Sequence, residues 1–180
     1  AEYMVLESLN IPEQESVYFE SDHQYYQDYD FVTNQYKYAS TYNGSQRTGA
    51  AGQNKISAQR IIMKIPISPK EATLKSNTNL GPIGLALNGV AFFNENAAPG
   101  DEITDELFSF DQCSGHPQGN NIYHYHVDPV CLIRDLSGEV VTVSIEKDNT
   151  TYNWLEDSGN NATLLIGFLL DGFPVYGPIG

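Results

Sequence analysis

Asn88-Gly89 lies between two apolar runs, Leu85-Ala86-Leu87 and Val90-Ala91-Phe92, and no other feature of the chain limits its fold so sharply. An Asn-Gly pair in that setting turns one strand back on the next, so the two runs are expected to pair antiparallel. Further strands are legible from period two. Ile61, Met63, Ile65 and Ile67 alternate with Ile62, Lys64, Pro66 and Ser68, which gives one strongly apolar face, and Pro66 assigns that strand to an edge or a bulge. Val140 to Ile145 and Leu164 to Leu170 read as two more strands. Stretches of Ala, Leu, Glu and Lys at helical spacing are few, whereas 15 Gly and 9 Pro punctuate the 180 residues. The expected fold is mainly β: a single antiparallel β-sandwich-like or barrel-like domain with long loops and an extended N-terminal segment. No repeat of the length used by solenoids or propellers is present.

Charge removes two classes of partner. Lys and Arg number 9 against 23 Asp and Glu, a formal charge of −14, so no basic surface is available to track phosphates. Nucleic acid is excluded as a partner and cations are favoured. A membrane span is excluded as well, since no run of 18 apolar residues occurs.

The acidic residues concentrate toward the N-terminus. Through Asp30 there are eight carboxylates and no Lys or Arg, and residues 1–55 hold eight of the twelve tyrosines but only seven Met, Val, Leu or Ile. Such a segment cannot form its own aliphatic core, so it is expected to lie as a Tyr-rich extended leader (1–55) before a β domain (56–180). It borrows a surface either from its own domain or from a neighbour. Strand addition to a second copy would give head-to-tail homo-assembly, with a filament as the open product. Within the segment, Tyr36-Lys37-Tyr38 reads as strand and Asn43-Gly44 as a turn.

The chain begins with Ala rather than Met, the start a processed mature protein would show. Three glycosylation-type triplets begin at Asn43, Asn149 and Asn161. Cys113 and Cys131 are the two cysteines; with an acidic, Lys-poor, turn-rich chain they are read as a disulfide, two metal thiolates being the alternative. The compartment expected is extracellular or the cell surface.

Three of the four histidines fall between Cys113 and Cys131, at His116, His124 and His126. If Tyr123-His124-Tyr125-His126 is extended, both imidazoles of the pair share one face and both tyrosines the other. Imidazoles so placed can converge on one copper or zinc ion, with His116 as third ligand. Asp111 is expected as a further ligand or as the partner that fixes an imidazole tautomer, and Asp171 is counted with it among the metal-site candidates. The plainer reading is a hydrogen-bonded histidine pair facing a neighbouring sheet. Asp22, Asp28, Asp30, Asp101, Glu102, Asp105 and Glu106 are candidate oxygen ligands for calcium, although no EF-hand loop is present.

Four segments carry a family resemblance: Gly81-Pro-Ile-Gly-Leu-Ala-Leu-Asn-Gly-Val90, Asp111-Gln-Cys-Ser-Gly-His-Pro117, Tyr123-His-Tyr-His126 with Pro129-Val-Cys131, and Leu165-Ile-Gly-Phe-Leu-Leu-Asp-Gly-Phe-Pro-Val-Tyr-Gly-Pro178. In order and spacing they resemble the YHYH domain family, secreted or surface-attached proteins of microbes. The resemblance implies a β-rich extracellular domain in which Asp111, Cys113, His116, His124, His126, Cys131 and Asp171 occupy signature positions. It implies no reaction. Family members usually continue past the Gly-Pro that is here Gly177-Pro178, so processing, a partial chain or a replaced C-terminal portion is expected after Gly180. The function expected is that of a secreted metal-binding structural protein that assembles with itself. The alternative is an extracellular metalloenzyme, with Asp111 or Asp171 as proton acceptor, although nucleophile-elbow, zincin and phosphate-loop motifs are missing.

Overall fold

The computed structural model describes residues 2–26, 29–30, 35–36, 54–94, 96, 103, 109–147 and 150–177. Asn43-Gly44, Lys37-Tyr38, Asn149 and the carboxylates Asp28, Asp101, Glu102, Asp105 and Glu106 lie outside them. The fold is mainly β. Its largest sheet has six strands: β5 (Gly84–Ala86), β6 (Ala91–Phe92), β7 (Gly115–Pro117), β8 (Tyr123–Tyr125), β11 (Leu165–Leu169) and β12 (Pro174–Tyr176), in the order β12-β11-β5-β6-β8-β7. Three two-stranded sheets accompany it. They join β1 (Tyr3–Ser8) to β4 (Ile61–Pro66), β2 (Tyr29–Asp30) to β3 (Gln35–Tyr36), and β9 (Val140–Lys147) to β10 (Thr150–Asp157).

The expected hairpin is β5–β6. Gly89 takes φ +81° and its amide donates to Ala86 O, so Leu87, Asn88 and Gly89 form a three-residue loop in which only the glycine is left-handed. Two points of the expected fold change. The described strands close no barrel, and the large sheet is mixed: β6 and β8 run parallel, with Ala91 opposite His124 and Phe92 opposite Tyr125. A parallel pair needs a long crossover, and the chain between Phe92 and Tyr123 supplies it. In β4 the apolar face is Met63 and Ile65, both buried; Ile67 falls beyond the strand and is exposed.

The acidic segment takes its surface from its own domain. β1 pairs antiparallel with β4, from Tyr3 opposite Pro66 to Ser8 opposite Ile61. Beyond it, Asn10 is fully buried, receiving the Ala91 amide on Oδ1 and donating from Nδ2 to Tyr123 O, 2.8 Å in each case. That one side chain therefore bridges the parallel strands β6 and β8. Tyr18 and Phe19 share a core cluster with Ile56, Val90, Tyr123, Tyr125, Ile133 and Ile166.

Among the described residues, the helix α1 (Val130–Asp135) was not legible. Its Val-Cys-Leu-Ile run reads as strand, yet Pro129 precedes it and all four apolar residues are buried. Cys113 and Cys131 form a disulfide with a Cα–Cα distance of 5.0 Å, tying the turn before β7 to this helix. Reduction is expected to lower stability by about 3 kcal/mol in the loop-entropy picture. Denaturant unfolding with and without reductant checks this, and an unchanged midpoint would contradict it.

Asn161 is not presented as a glycan acceptor. It is 6% exposed, and its Nδ2 donates to Glu139 O at 2.7 Å and Asp157 Oδ2 at 2.6 Å, while Oδ1 accepts the Glu139 amide. The nitrogen that would carry a sugar braces the residue before β9 and the end of β10 instead.

Candidate metal centre

β7 and β8 pair antiparallel with His116 opposite His124, and the chain bends after β8 so that His126 returns to the same side. The three Nε2 atoms converge: His116 to His124 is 3.0 Å and His124 to His126 is 3.0 Å. Among the described residues this is the one group of three or more His, Cys, Asp or Glu side chains able to meet on an ion, with all ligand atoms within 4.8 Å of one another. His124 is buried and its two partners are half-buried. The Phe93 ring stacks on His124 at 3.9 Å between centroids, and the Phe110 ring meets His116 edge-on at 4.8 Å.

Each Nδ1 is held from behind. His124 Nδ1 lies 3.0 Å from Ile122 O and His126 Nδ1 lies 2.6 Å from Asn94 O. A carbonyl can only accept, so both Nδ1 atoms carry the proton and both Nε2 atoms carry a lone pair in the neutral rings. His116 Nδ1 meets the Ser109 hydroxyl at 2.6 Å, which serves either tautomer. Burial, with a smaller push from His126, lowers the His124 pKa to about 3 against the hydrogen bond that Nδ1 donates to Ile122 O, so this ring is neutral at pH 7.

The opposite face of β8 carries a different network. Tyr123 donates to Asp111 Oδ2 at 2.7 Å, and Gln14 Nε2 donates to the hydroxyls of Tyr123 and Tyr125 at 3.2 and 2.9 Å. Asp111 Oδ1 also accepts the amides of Cys113 and Gly115. Asp111 thus departs from the expected role: it closes the turn into β7 and anchors the tyrosine face, outside the converging group. Burial and the Asp111 carboxylate together hold Tyr123 protonated, its pKa well above the usual phenol value. Asp171 is also set apart. It is exposed in the turn joining β11 to β12, at the far edge of the sheet from β7 and β8, where it accepts the Phe173 amide.

The partners that fix the imidazoles were missed. Two are main-chain carbonyls, which leave no mark in a sequence; Ser109, two residues before Asp111, is a short polar side chain like many others in the chain. Gln14 was hidden by its distance of 109 residues from Tyr123.

Beside the site, Asp128 has its pKa raised to about 6, by burial first and then by Asp157 and Glu156. A carboxyl raised in this way adds stability below its unfolded pKa near 3.8 and loses it as pH rises through 6. Asp128→Asn is therefore expected to stabilise the metal-free chain at pH 7 to 8 by about 1 kcal/mol after solvent screening, with no gain at pH 4. Urea midpoints at the two pH values check this.

A mixed β sheet with three imidazoles gathered at one edge defines a β-rich domain bearing a candidate transition-metal centre. The family model described as YHYH protein matches residues 62–180, about two thirds of the chain, and the chain belongs to that family. The match begins upstream of the Gly81 segment and takes in nearly all of β4. No curated protein and no solved structure matches the chain.

Proposed function

We propose that this protein is an extracellular β domain that binds one transition-metal ion, copper or zinc, through Nε2 of His116, His124 and His126. One observation carries the reading. His124 and His126 are locked by carbonyls into tautomers whose Nε2 lone pairs face each other across 3.0 Å, an arrangement that repels unless a cation lies between them. The second support is preorganisation: ligands on paired strands, backed by fixed hydrogen bonds, are the arrangement that holds a metal with little rearrangement. The disulfide is compatible with an oxidising compartment.

Elemental analysis of the protein from its native medium, followed by titration of the chelator-treated chain with copper(II) and zinc(II), tests the proposal. One equivalent per chain, lost in His126→Ala, is expected; unchanged metal content in that variant would overturn it. Self-assembly by strand exchange has less to recommend it, since β1 already pairs with β4 of its own chain and Asn10 is spent within it.

A further inference from the structure

We propose that the outer edge of β1 pairs antiparallel with β1 of a second copy of this chain, joining two β1–β4 ribbons into one four-stranded sheet about a two-fold axis at Val5. No strand is exchanged. β1 keeps its place beside β4 of its own chain, and the pairing makes no use of the metal centre.

The outer edge is defined by the ladder. The Ile67 amide donates to Glu2 O at 3.1 Å, which continues the β1–β4 register by one hydrogen-bonded pair. Bonded and non-bonded pairs alternate in an antiparallel ladder. Met4, Leu6 and Ser8 therefore direct their main-chain groups to Ile65, Met63 and Ile61, while Tyr3, Val5 and Glu7 direct theirs away from β4. Pro66, which has no N–H to give, stands at a non-bonded position opposite Tyr3, as that alternation requires. Among the described residues the ribbon has only these two strands, and Tyr3 and Val5 are 48% and 56% exposed. β1 also lacks the usual devices that blunt a sheet edge: Tyr3–Ser8 holds no Lys, Pro or Gly, and its register with β4 is unbroken.

Charge and register select a second copy as the occupant. Centred on Val5, the pairing lets Val5 exchange both main-chain bonds with Val5 of the partner subunit, and Tyr3 exchange both with the partner's Glu7. A shift of two residues one way brings the two Glu7 carboxylates together diagonally; the opposite shift carries Glu7 beyond the partner's strand. On the shared face, Lys64 Nζ lies over the ring of its own Tyr3, 4.3 Å from the centroid. The partner's Glu7 is the next side chain across that ring, so each Glu7 meets a cation and each Lys64 an anion. The exposed Tyr3, Val5 and Ile62 of both copies then form one apolar stripe. A head-to-tail stack would need the far edge of β4 instead. That edge is obstructed at Pro66, whose carbonyl is so close to Gly172 in the β11–β12 turn that a Cβ there would lie 2.3 Å from the oxygen.

Size exclusion with light scattering tests the pairing on the full, chelator-treated chain from about 1 µM to about 1 mM, a range suited to a small interface. Salt is held at about 0.15 M, which screens the −14 charge of each copy beyond about 8 Å. The mass is expected to pass from one chain, 20.0 kDa, to two and to stop there. Val5→Pro removes the central outward N–H and no bond to β4, so it is expected to stay at one chain throughout. Charge exchange tests the same contact without altering the backbone. Glu7→Lys and Lys64→Glu each place like charges across the axis and are expected to weaken association about tenfold, with far-UV circular dichroism unchanged. An equimolar mixture of these two variants sets opposite charges at both contacts and is expected to recover the wild-type mass. A change confined to one chain cannot be repaired by mixing. A wild type that remains at one chain up to 1 mM, or a mass that climbs past two, overturns the proposal. Charge variants that associate as the wild type does, or whose mixture recovers nothing, overturn it equally.

Discussion

Copper(II) at a free concentration a thousandfold above its dissociation constant is expected to raise the unfolding free energy of the wild-type chain by about 4 kcal/mol. His124→Ala is expected to abolish that increment. The reasoning combines linkage with the geometry at the sheet edge. An ion that binds the three converged Nε2 atoms has no equivalent site in the unfolded chain, so its binding energy adds to folding. His124 is the central ligand, 3.0 Å from each of its partners, and its removal leaves two nitrogens without the one that bridges them. The same substitution also empties a buried position under Phe93, so the metal-free variant should itself be destabilised, by about 1–3 kcal/mol. The diagnostic quantity is therefore the metal-dependent difference, measured by thermal unfolding of each variant with copper and with chelator. Equal increments in wild type and His124→Ala would refute the assignment. The pH dependence has a fixed sign. His124 is neutral in the folded chain down to about 3 but has an ordinary imidazole pKa near 6.5 when unfolded, so its contribution is present above 6.5 and is lost as pH falls toward 3. Copper should accentuate the loss, because protons compete for the lone pairs it uses.

What could be read from the chain was what depends on neighbours in sequence. Asn88-Gly89 specified its hairpin because turn chemistry is local, and Tyr123-His124-Tyr125 separated its faces because alternation is a property of any strand. The three histidines were legible as a group since period two sets His126, one residue past the end of β8, on the side of His124, and His116 lies on the strand paired beside it. What escaped was set by distance. The parallel pairing of β6 with β8 depends on a crossover and on Asn10, whose side chain reaches across 81 residues to Ala91. Asp111 was misassigned because a carboxylate close in sequence to histidines reads as their partner, whereas the fold turns it to the opposite face of β8 to receive Tyr123. The N-terminal segment looked unable to pack because its aliphatic residues are sparse; it packs through Tyr18 and Phe19 and through the buried amides of Asn10 and Gln14.

Gly115→Ala is expected to damage stability and metal binding together, although the residue is neither a ligand nor in the left-handed region. A Cβ at this position would lie 2.4 Å from Cζ and from the hydroxyl oxygen of Tyr123. That ring cannot retreat: it has no exposed surface, its hydroxyl donates to Asp111, and Gln14 holds it from the other side. Either Tyr123 moves and leaves the buried Asp111 carboxylate short of a donor, or β7 lifts from β8. The first costs about 1–3 kcal/mol for the unsatisfied group in addition to about 1–3 kcal/mol of overpacking. The second separates His116 from His124, since Gly115 opposite Tyr125 and His116 opposite His124 are successive rungs of one ladder. A loss of about 2–5 kcal/mol in urea unfolding is expected, with copper affinity reduced more than tenfold in whatever fraction remains folded. Gly119→Ala provides the comparison, because a Cβ there meets nothing within 4 Å, and its effect should stay within about 0.5 kcal/mol. Two glycines four residues apart then separate the explanations. If the loop simply needs flexible residues, both substitutions will hurt alike; if the tyrosine face of β8 clamps β7 so that the histidine face can converge, only the first will.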